Sequence, residues 1–326
     1  MDIHKSTLKI VSIILFNKDS GGNIQLRDYS QSLLEPHENV IDISLFNGAI
    51  PSPVSFLSLL WYLFNGIFNK NIRLVYSDPL LCILDLLPGI NLTRFVQSID
   101  NELYNGHPRI PVSVQKALSI FISFCNRRGF GSIVVCSDMC AEYISLVGRS
   151  FTFVKPSLRI TLPSEKKINR YQNKICSVMS NPDLKGISLL VQIANAFPNI
   201  SFVLISQKTP SINLPHNIEH FTPSDRNDMF SVVASCAASI SCSSKETLGL
   251  PIYEAMALGL PSIFRVNQAT QGLDKNLFLA FNNFDKDKIK RIFEILLNND
   301  SMDRLLAAQQ ELINKNFQVI LSNKSA

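Results

Sequence analysis

The sequence predicts a two-domain α/β protein, and three observations support this fold class. The chain has 326 residues, which is more than one ordinary hydrophobic core holds and suggests two domains. Short apolar runs typical of buried parallel strands alternate with helix-like segments in both halves of the chain. A stretch rich in proline and charge, from Pro156 to Arg170, separates the halves as a connection between domains does. We therefore expect domains at residues 1–156 and 157–326.

The N-terminal half begins with a buried strand, predicted from Lys9 to Phe16. A turn with Gly21 and Gly22 and a helix-like segment follow, and this order of strand, glycine turn and helix begins a Rossmann-like unit. Another strand is predicted from Arg94 to Asp100. Asp100 would then lie at the carboxyl end of a strand, where open α/β sheets bind ligands.

An unusually apolar helix is predicted from Pro53 to Lys70. Because a helix that is apolar all round is normally buried, we expect an internal helix that covers both the sheet and a neighbour. The alternative is a helix that docks at a membrane surface, with Lys70 and Arg73 near the headgroups.

Composition and charge restrict the classes of ligand and compartment. Lys and Arg number 31 against 26 Asp and Glu, so the formal net charge is +5, which suits anionic ligands or an anionic membrane surface. The basic residues are scattered and no nucleic-acid-binding motif accompanies them, so we predict no nucleic-acid partner. Seven cysteines without a C-x-x-C pair predict reduced thiols and a cytoplasmic protein. The first apolar run has no small-residue cleavage site after it, so no signal peptide is predicted.

The most informative stretch, residues 239–264, predicts a strand end, a polar loop, a short helix and a second strand. Pro251 suits the first helical turn, and Gly259 followed by Pro261 ends a helix of about two turns. The free N–H groups at the start of that helix face the loop from Lys245 to Gly249, where they form an anion site suited to a diphosphate.

Two carboxylates flank this anion site. Glu246 precedes the helix, and Glu254 is predicted in its first turn. Carboxylates beside a phosphate site can accept hydrogen bonds from sugar or ribose hydroxyls, which suggests a nucleotide-sugar pocket. The alternative is that Glu254 only complements the helix dipole and that Glu246 is solvated.

The whole stretch from Glu246 to Pro261 resembles the donor-site signature of retaining glycosyltransferases of family 4. It has Glu, seven residues and Glu, with Gly-x-Pro between them and Ala-Met-Ala-x-Gly-x-Pro after them. Lys185-Gly186 after a predicted strand resembles the phosphate-binding lysine of the same family. The resemblance implies the GT-B fold, in which two Rossmann-like domains face a cleft. Residues 1–156 would bind the acceptor and residues 157–326 the nucleotide sugar, and in this fold the last helix can cross back to the first domain.

The same resemblance implies roles for individual residues. It assigns the transfer chemistry to Glu246, Lys185 and Asp100. Glu254 would hold the ribose, Glu246 the sugar hydroxyls and Lys185 the diphosphate. The full set implied for donor binding is Glu254, Glu246, Lys185, Thr247, Leu248, Gly249, Gly21 and Gly22.

The chain departs from the family pattern at two places. Many members have an arginine five residues before the lysine, where this chain has Ser180. One cation for the diphosphate is then missing, or comes from elsewhere, such as Lys155, Arg159 or Lys245. Many members also have a His-Asp pair near Asp100, and this chain has no histidine there.

The expected function is that of a hexosyltransferase-type glycosyltransferase. The resemblance implies transfer, with retention, from a nucleotide diphosphate sugar to a glycan or lipid-linked acceptor. We expect a role in bacterial surface polysaccharide synthesis, such as that of lipopolysaccharide, with peripheral contact at the inner face of the cytoplasmic membrane. No metal or other cofactor is expected, because Lys185 and the helix dipole can stabilise the diphosphate.

The alternative is a catalytically silent subunit that only binds the donor. A nicotinamide-dependent enzyme is disfavoured, since no Gly-x-Gly-x-x-Gly follows the first strand.

Overall fold

The computed structural model describes residues 8–16, 21–34, 40–47, 50–97, 111–162, 171–246, 248–267, 269–270, 279–296 and 299–323. The chain divides into two compact units, Met1–Pro156 and Ser157–Ala326. Each unit has a mainly parallel sheet with helices in most of the connections between strands. This architecture confirms the predicted α/β class. The residues from Pro163 to Arg170, in the expected connection, lie outside the described part.

The N-terminal unit has a sheet of seven strands in the part that the structure describes, in the order β3-β2-β1-β4-β5-β6-β7. Neighbouring strands are parallel except β2 and β3. The strands are β1 (Lys9–Phe16), β2 (Ile41–Asn47), β3 (Ile50–Pro51), β4 (Ile72–Tyr76), β5 (Asn91–Val96), β6 (Ser132–Val135) and β7 (Thr152–Phe153). The helices are α1 (Gly21–Ser32), α2 (Pro53–Phe68), α3 (Val112–Arg128) and α4 (Asp138–Leu146), with a 3-10 helix at Pro79–Leu86.

The strand predicted from Arg94 to Asp100 is β5, which begins earlier and ends at Val96. The reason is that Arg94 belongs to the strand interior: its side chain is fully buried and donates to the Asn126 side chain on α3. The prediction placed Arg94 at the start of the strand because it is charged, but a charged side chain can lie inside a strand when it is buried and hydrogen-bonded. Asp100 lies outside the described residues.

The apolar helix α2 corrects the expectation of an internal helix. It begins after the N-cap Ser52, and only Leu59 and Gly66 are buried. The opposite face is exposed, although its side chains are large and apolar. The prediction failed because α2 covers the sheet on one side and no described segment covers its other side. Among the described residues, no helix combines the length and apolar character needed to cross a bilayer.

The C-terminal unit has a second parallel sheet, in the order β11-β10-β9-β12-β13-β14, and a parallel pair β8-β15. The strands are β8 (Ser157–Leu162), β9 (Tyr171–Val178), β10 (Ser201–Ile205), β11 (Ile218–Phe221), β12 (Cys236–Ser241), β13 (Ser262–Arg265), β14 (Leu279–Phe281) and β15 (Gln318–Asn323). The helices are α5 (Ile187–Ala196), α6 (Arg226–Ala234), α7 (Leu250–Ala257), α8 (Lys286–Leu296) and α9 (Asn299–Asn316). The last helix, α9, packs against α7 and α8 of this unit.

The strand order of this second sheet creates a place for a ligand. From β9 the chain passes through α5 to β10 on one side, and from β12 it passes through α7 to β13 on the other side. Since β9 and β12 are parallel neighbours, the order reverses between them. Open α/β sheets bind ligands outside the carboxyl ends of the strands at such a reversal. The two loops that leave this edge are residues 179–186 and 242–249.

Candidate functional site

A pocket lies at the carboxyl ends of β9 and β12, between the two loops that follow these strands. Lys185 comes from the first loop and Glu246 from the second, and Pro251 and Ile252 come from the first turn of α7. The complete lining is Ser177, Val178, Met179, Lys185, Ser241, Cys242, Ser243, Glu246, Gly249, Pro251 and Ile252. The pocket therefore combines a cation, a carboxylate, hydroxyls and the beginning of a helix.

The structure brings together two of the residues predicted from the sequence. The Lys185 Nζ atom donates to Glu246 Oε1 at 2.8 Å, and the Lys245 carbonyl oxygen lies 3.4 Å from the same nitrogen. The Lys185 and Glu246 side chains are 29% and 18% exposed. An ion pair that water reaches contributes about 0–1 kcal/mol, so a charged ligand can separate the two groups at little cost.

Gly186 allows the Lys185 loop to lie against the end of β12. Its φ is +90°, in the left-handed region, and an added Cβ would lie 2.3 Å from the Cys242 carbonyl oxygen. A side chain at this position is therefore excluded twice, by conformation and by contact. Burial raises the pKa of the Cys242 thiol to about 12, so this pocket residue stays protonated near neutral pH.

Side-chain hydrogen bonds hold both loops in place. Asp183 Oδ1 accepts from the Ser211 hydroxyl at 2.8 Å and fixes the first loop. Asn267 Nδ2 donates to the Ser243 carbonyl oxygen at 3.0 Å and fixes the second. Asn267 is buried, and the sequence reasoning missed it because it follows β13 with no motif around it. These contacts position the two loops that carry Lys185 and Glu246.

The helix α7 has the limits that the sequence predicted. It begins after Gly249, whose φ is +67°, and ends before Gly259, whose φ is +74°. Pro251 lies in its first turn, and Leu248 is half-buried beside the start of the helix. Thr247 lies outside the described residues. In this turn Pro251 has no N–H group and the Ile252 N–H donates to the Gly249 carbonyl oxygen at 3.0 Å, so fewer N–H groups are free at the start of the helix than the sequence predicted.

Glu254 lies in the second turn of α7, not in the first turn as predicted. The helix begins at Leu250 because Gly249 takes the left-handed conformation and acts as the N-cap. Glu254 is only 5% exposed and does not line the pocket. The dipole of the first turn therefore does not account for its position.

Arg226 is the partner of Glu254, and the sequence reasoning missed it. Its guanidinium donates to Glu254 Oε1, and it lies 4.9 Å from the centre of the Phe230 ring. Burial raises the pKa of Glu254, and the positive charge of Arg226 opposes this shift. Asp225 is the N-cap of α6 and so places Arg226 in the first turn. No local pattern marks Arg226; the only signal is that a buried carboxylate needs a partner.

The other predicted residues lie elsewhere. Gly21 and Gly22 begin α1 in the N-terminal unit. Ser180 is exposed after the end of β9. The candidates for a second cation, namely Lys155, Arg159 and Lys245, do not line the pocket with their side chains. Among the described lining residues, Lys185 supplies the positive charge.

No cluster of three His, Cys, Asp or Glu side chains suited to a metal ion occurs among the described residues. Asp285 and Asp287 have the spacing of a metal-binding pair, but Asp285 Oδ1 accepts from the Lys288 N–H at 3.0 Å. That bond caps the start of α8.

Comparison with known proteins places this pocket in a known domain. Residues 159–315 match the family model described as "Glycosyl transferases group 1". The matched residues lie within the C-terminal unit and include every residue that lines the pocket. A search of curated protein sequences finds no match.

Solved structures with the same fold support the architecture of both halves. HepE from Anabaena, solved in complex with UDP-glucose, has a TM-score of 0.74 and 12% identity, and the match covers 95% of each chain. Sucrose-phosphate synthase from Thermosynechococcus elongatus has a TM-score of 0.71 and 14% identity, again over 95% of each chain. WaaG, a glycosyltransferase involved in lipopolysaccharide biosynthesis, has a TM-score of 0.65 and 12% identity over 94% of this chain and 95% of WaaG. The chain spans 56% of TarM, with a TM-score of 0.62. At these identities the likeness shows the fold, which is GT-B with two Rossmann-like domains.

Proposed function

We propose that the chain is a glycosyltransferase that moves a sugar from a nucleotide diphosphate sugar to a glycan or lipid-linked acceptor with retention of configuration. The observation that carries the proposal is the meeting of Lys185 and Glu246, 2.8 Å apart, at the reversal of strand order beside the start of α7. The group 1 domain over residues 159–315 and the UDP-glucose complex of HepE support the same donor class.

Each charged group has a role in donor binding. The ammonium of Lys185 and the N–H groups at the start of α7 would hold the diphosphate, since both provide positive charge. Glu246, once released from Lys185, would accept hydrogen bonds from sugar hydroxyls. Glu254, held by Arg226, would accept from the ribose hydroxyls. Thr247, Leu248, Gly249, Gly21 and Gly22 complete the proposed binding set.

The proposed rate enhancement comes from stabilisation of the negative charge that develops on the leaving group. When the bond between the anomeric carbon and the phosphate oxygen breaks, negative charge grows on the diphosphate. Fixed positive groups there stabilise the transition state more than the bound substrate. For retention, the new bond to the acceptor oxygen forms on the face that the diphosphate leaves, and the acceptor proton passes to the departing phosphate oxygen. Asp100 is proposed on the acceptor side, and no metal is required for these steps.

The proposed setting is bacterial surface polysaccharide synthesis, with a hexose as the transferred sugar and a peripheral contact with the membrane. The support is the overall likeness to WaaG, which acts in lipopolysaccharide biosynthesis, together with the exposed apolar helix α2. A lipid-linked acceptor would be presented at a membrane surface.

A second candidate is a subunit that binds the donor without turning it over. It is favoured by Ser180, which stands exposed where the resembled family has an arginine. Lys185 would then be the single side-chain cation available for the diphosphate among the described lining residues.

One titration series separates the candidates. UDP-, GDP- and TDP-sugars are titrated calorimetrically into the full chain, and release of the nucleoside diphosphate is followed with and without a membrane extract as acceptor. Binding with release supports the transferase, and we expect it for a UDP-sugar. Binding without release under both conditions favours the silent subunit. Absence of binding by every donor would contradict both.

A further inference from the structure

One layer of the N-terminal unit carries an exposed surface that extends beyond α2, and the inference drawn from it rests on the peripheral membrane contact in the proposed function. Leu59 of α2 and Leu81 and Leu84 of the 3-10 helix share one core cluster under the sheet. Ile122 of α3 shares another cluster with Cys82 of the same 3-10 helix. The 3-10 helix thus connects α2 and α3 on one side of the sheet. We name the solvent-facing side chains of α2 and α3 the α2–α3 face.

On α2 the apolar side chains continue onto this exposed face. Trp61 is 56% exposed, Phe64 is 64% exposed and Phe68 is 75% exposed. Leu57, Leu60 and Ile67 are also exposed, and the spacing of the six residues places them on one side of the helix. Exposed apolar patches of this kind on a folded protein mark sites of interaction.

On α3 the exposed side has an apolar centre and charged ends. Ile120, Phe121 and Phe124 are exposed in the middle. Lys116 lies before them and Arg127 and Arg128 after them, and all three cations are exposed. Long basic side chains at the margins of an apolar surface can lay their stems along it and extend their charges to an anionic layer.

The charge on this surface has a single sign. Residues 53–70 and 112–130 contain Lys70, Lys116, Arg127 and Arg128 and no acidic residue. A second copy of the chain in a two-fold contact would bring these same cations together. An anionic lipid surface instead offers negative headgroups at the margin and an apolar layer beneath them.

We propose that the α2–α3 face docks on the surface of an anionic lipid bilayer. The aromatic and aliphatic side chains of α2 and α3 enter the boundary of the acyl chains, and Lys116, Arg127 and Arg128 contact the headgroups. Lys70 follows α2, donates to the Gly89 carbonyl oxygen and adds positive charge at the margin. The helices lie along the membrane, because the inner side of α2, at Leu59 and Gly66, is packed on the sheet. This docking is independent of donor binding in the C-terminal unit.

Trp61 provides a direct test, because it is the only tryptophan of the chain and belongs to the face. The full chain is mixed with vesicles of phosphatidylcholine alone or with added phosphatidylglycerol. We expect the Trp61 emission to shift to shorter wavelength and to be quenched by brominated lipid. Both effects should increase with phosphatidylglycerol and decrease with salt, because the headgroup attraction is screened.

Two matched pairs of variants locate the contact by vesicle flotation. Phe64→Ser with Phe68→Ser removes apolar contacts, and Arg127→Ser with Arg128→Ser removes charge. The controls are Phe284→Ser and Lys286→Ser with Lys288→Ser, which change exposed residues of the C-terminal unit. We expect each face variant to weaken vesicle binding about tenfold or more. The controls should bind as the unchanged chain does, and melting temperature and UDP-sugar affinity should not change in any variant.

Three results would overturn the proposal. The first is a Trp61 spectrum that anionic vesicles do not change. The second is equal flotation of face variants and controls. The third is a stable dimer of the unchanged chain, measured by sedimentation, that becomes monomeric in the face variants, together with no binding of the unchanged chain to vesicles. If the phenylalanine variant melts at a lower temperature, its flotation is not used and the arginine variant tests the proposal. Arg127 and Arg128 are exposed, so their replacement leaves the core intact.

Discussion

Lys185 Nζ lies 2.8 Å from Glu246 Oε1, although 61 positions separate the two residues in the chain. Each side chain is thus a hydrogen-bonding partner of the other. Under the proposed function, a diphosphate bound by Lys185 would replace this carboxylate and free Glu246 for sugar hydroxyl groups. The proposal therefore couples the two halves of donor recognition through this pair.

Replacement of the lysine tests this coupling. We predict that Lys185→Ala lowers the turnover number at least about a hundredfold, because it removes positive charge where negative charge develops. The free energy of unfolding should change by less than about 1 kcal/mol, because the pair is reached by water. Steady-state kinetics with a UDP-sugar and urea denaturation measure the two effects.

The control is Lys288→Ala, which changes an exposed lysine on α8 and should leave both quantities unchanged. A Lys185→Ala protein that unfolds easily but turns over normally per folded molecule would show that the lysine has a structural role.

Gly186 gives a second prediction, with Gly148 as its control. Both have positive φ, +90° and +78°, but an added Cβ meets the Cys242 backbone at Gly186 and nothing within 4 Å at Gly148. Gly148→Ala should therefore cost only the left-handed strain, about 1–2 kcal/mol of unfolding free energy. Gly186→Ala should cost about 1–3 kcal/mol more from the backbone clash, and should also weaken donor binding, because the Lys185 loop must move. Equal losses from both substitutions would contradict the close contact.

The local features of the site could be predicted from the sequence. Gly249, Pro251 and Gly259 set the limits of α7 through backbone preferences that depend on neighbouring residues alone. The strand–helix rhythm likewise predicted the α/β class. Contacts between residues far apart in the sequence could not be predicted. Arg226 contacts Glu254 across 28 positions, and no motif near either residue indicates this pair.

The burial of α2 could not be predicted for a different reason. Its sequence has apolar residues on every side, and this pattern is typical of a helix that is covered on every side. Whether a neighbour covers Trp61 and Phe64 depends on the fold and on external partners, and both side chains are exposed in the isolated chain.

Arg226 gives a third prediction, because it is the partner of a buried carboxylate. Arg226→Met should lower the free energy of unfolding by about 1–3 kcal/mol, a smaller loss than for a fully buried pair since Arg226 is one-third exposed. Adding Glu254→Gln should recover much of this loss, because the uncompensated charge is then removed. Urea denaturation of the single and double variants at neutral pH measures this coupling. Additive losses would contradict a direct interaction.

Glu254 itself combines a pH effect on stability with an effect on binding. Burial raises the pKa of Glu254 above its ordinary value of 4.5. The Glu254 carboxyl therefore stays protonated to higher pH in the folded chain than in the unfolded chain. The contribution of this protonation to the free energy of unfolding is present below pH 4.5 and is lost as pH rises through the folded pKa. Glu254→Gln cannot titrate, so the melting temperature of the variant minus that of the unchanged chain should increase as pH rises through this interval. Glu294→Gln, at an exposed residue of α8, is the control and should show no such trend.

The same Glu254→Gln substitution should weaken the calorimetric affinity for a UDP-sugar about five- to tenfold at neutral pH. A neutral amide accepts a weaker hydrogen bond from ribose hydroxyls than an ionised carboxylate does, by about 1 kcal/mol. A stability difference that changes with pH, together with a loss of affinity, would distinguish this role from a general defect in folding. Unchanged affinity would exclude Glu254 from the donor site. A melting-temperature difference that decreases with pH would show instead that Arg226 outweighs burial and lowers the pKa of this carboxyl.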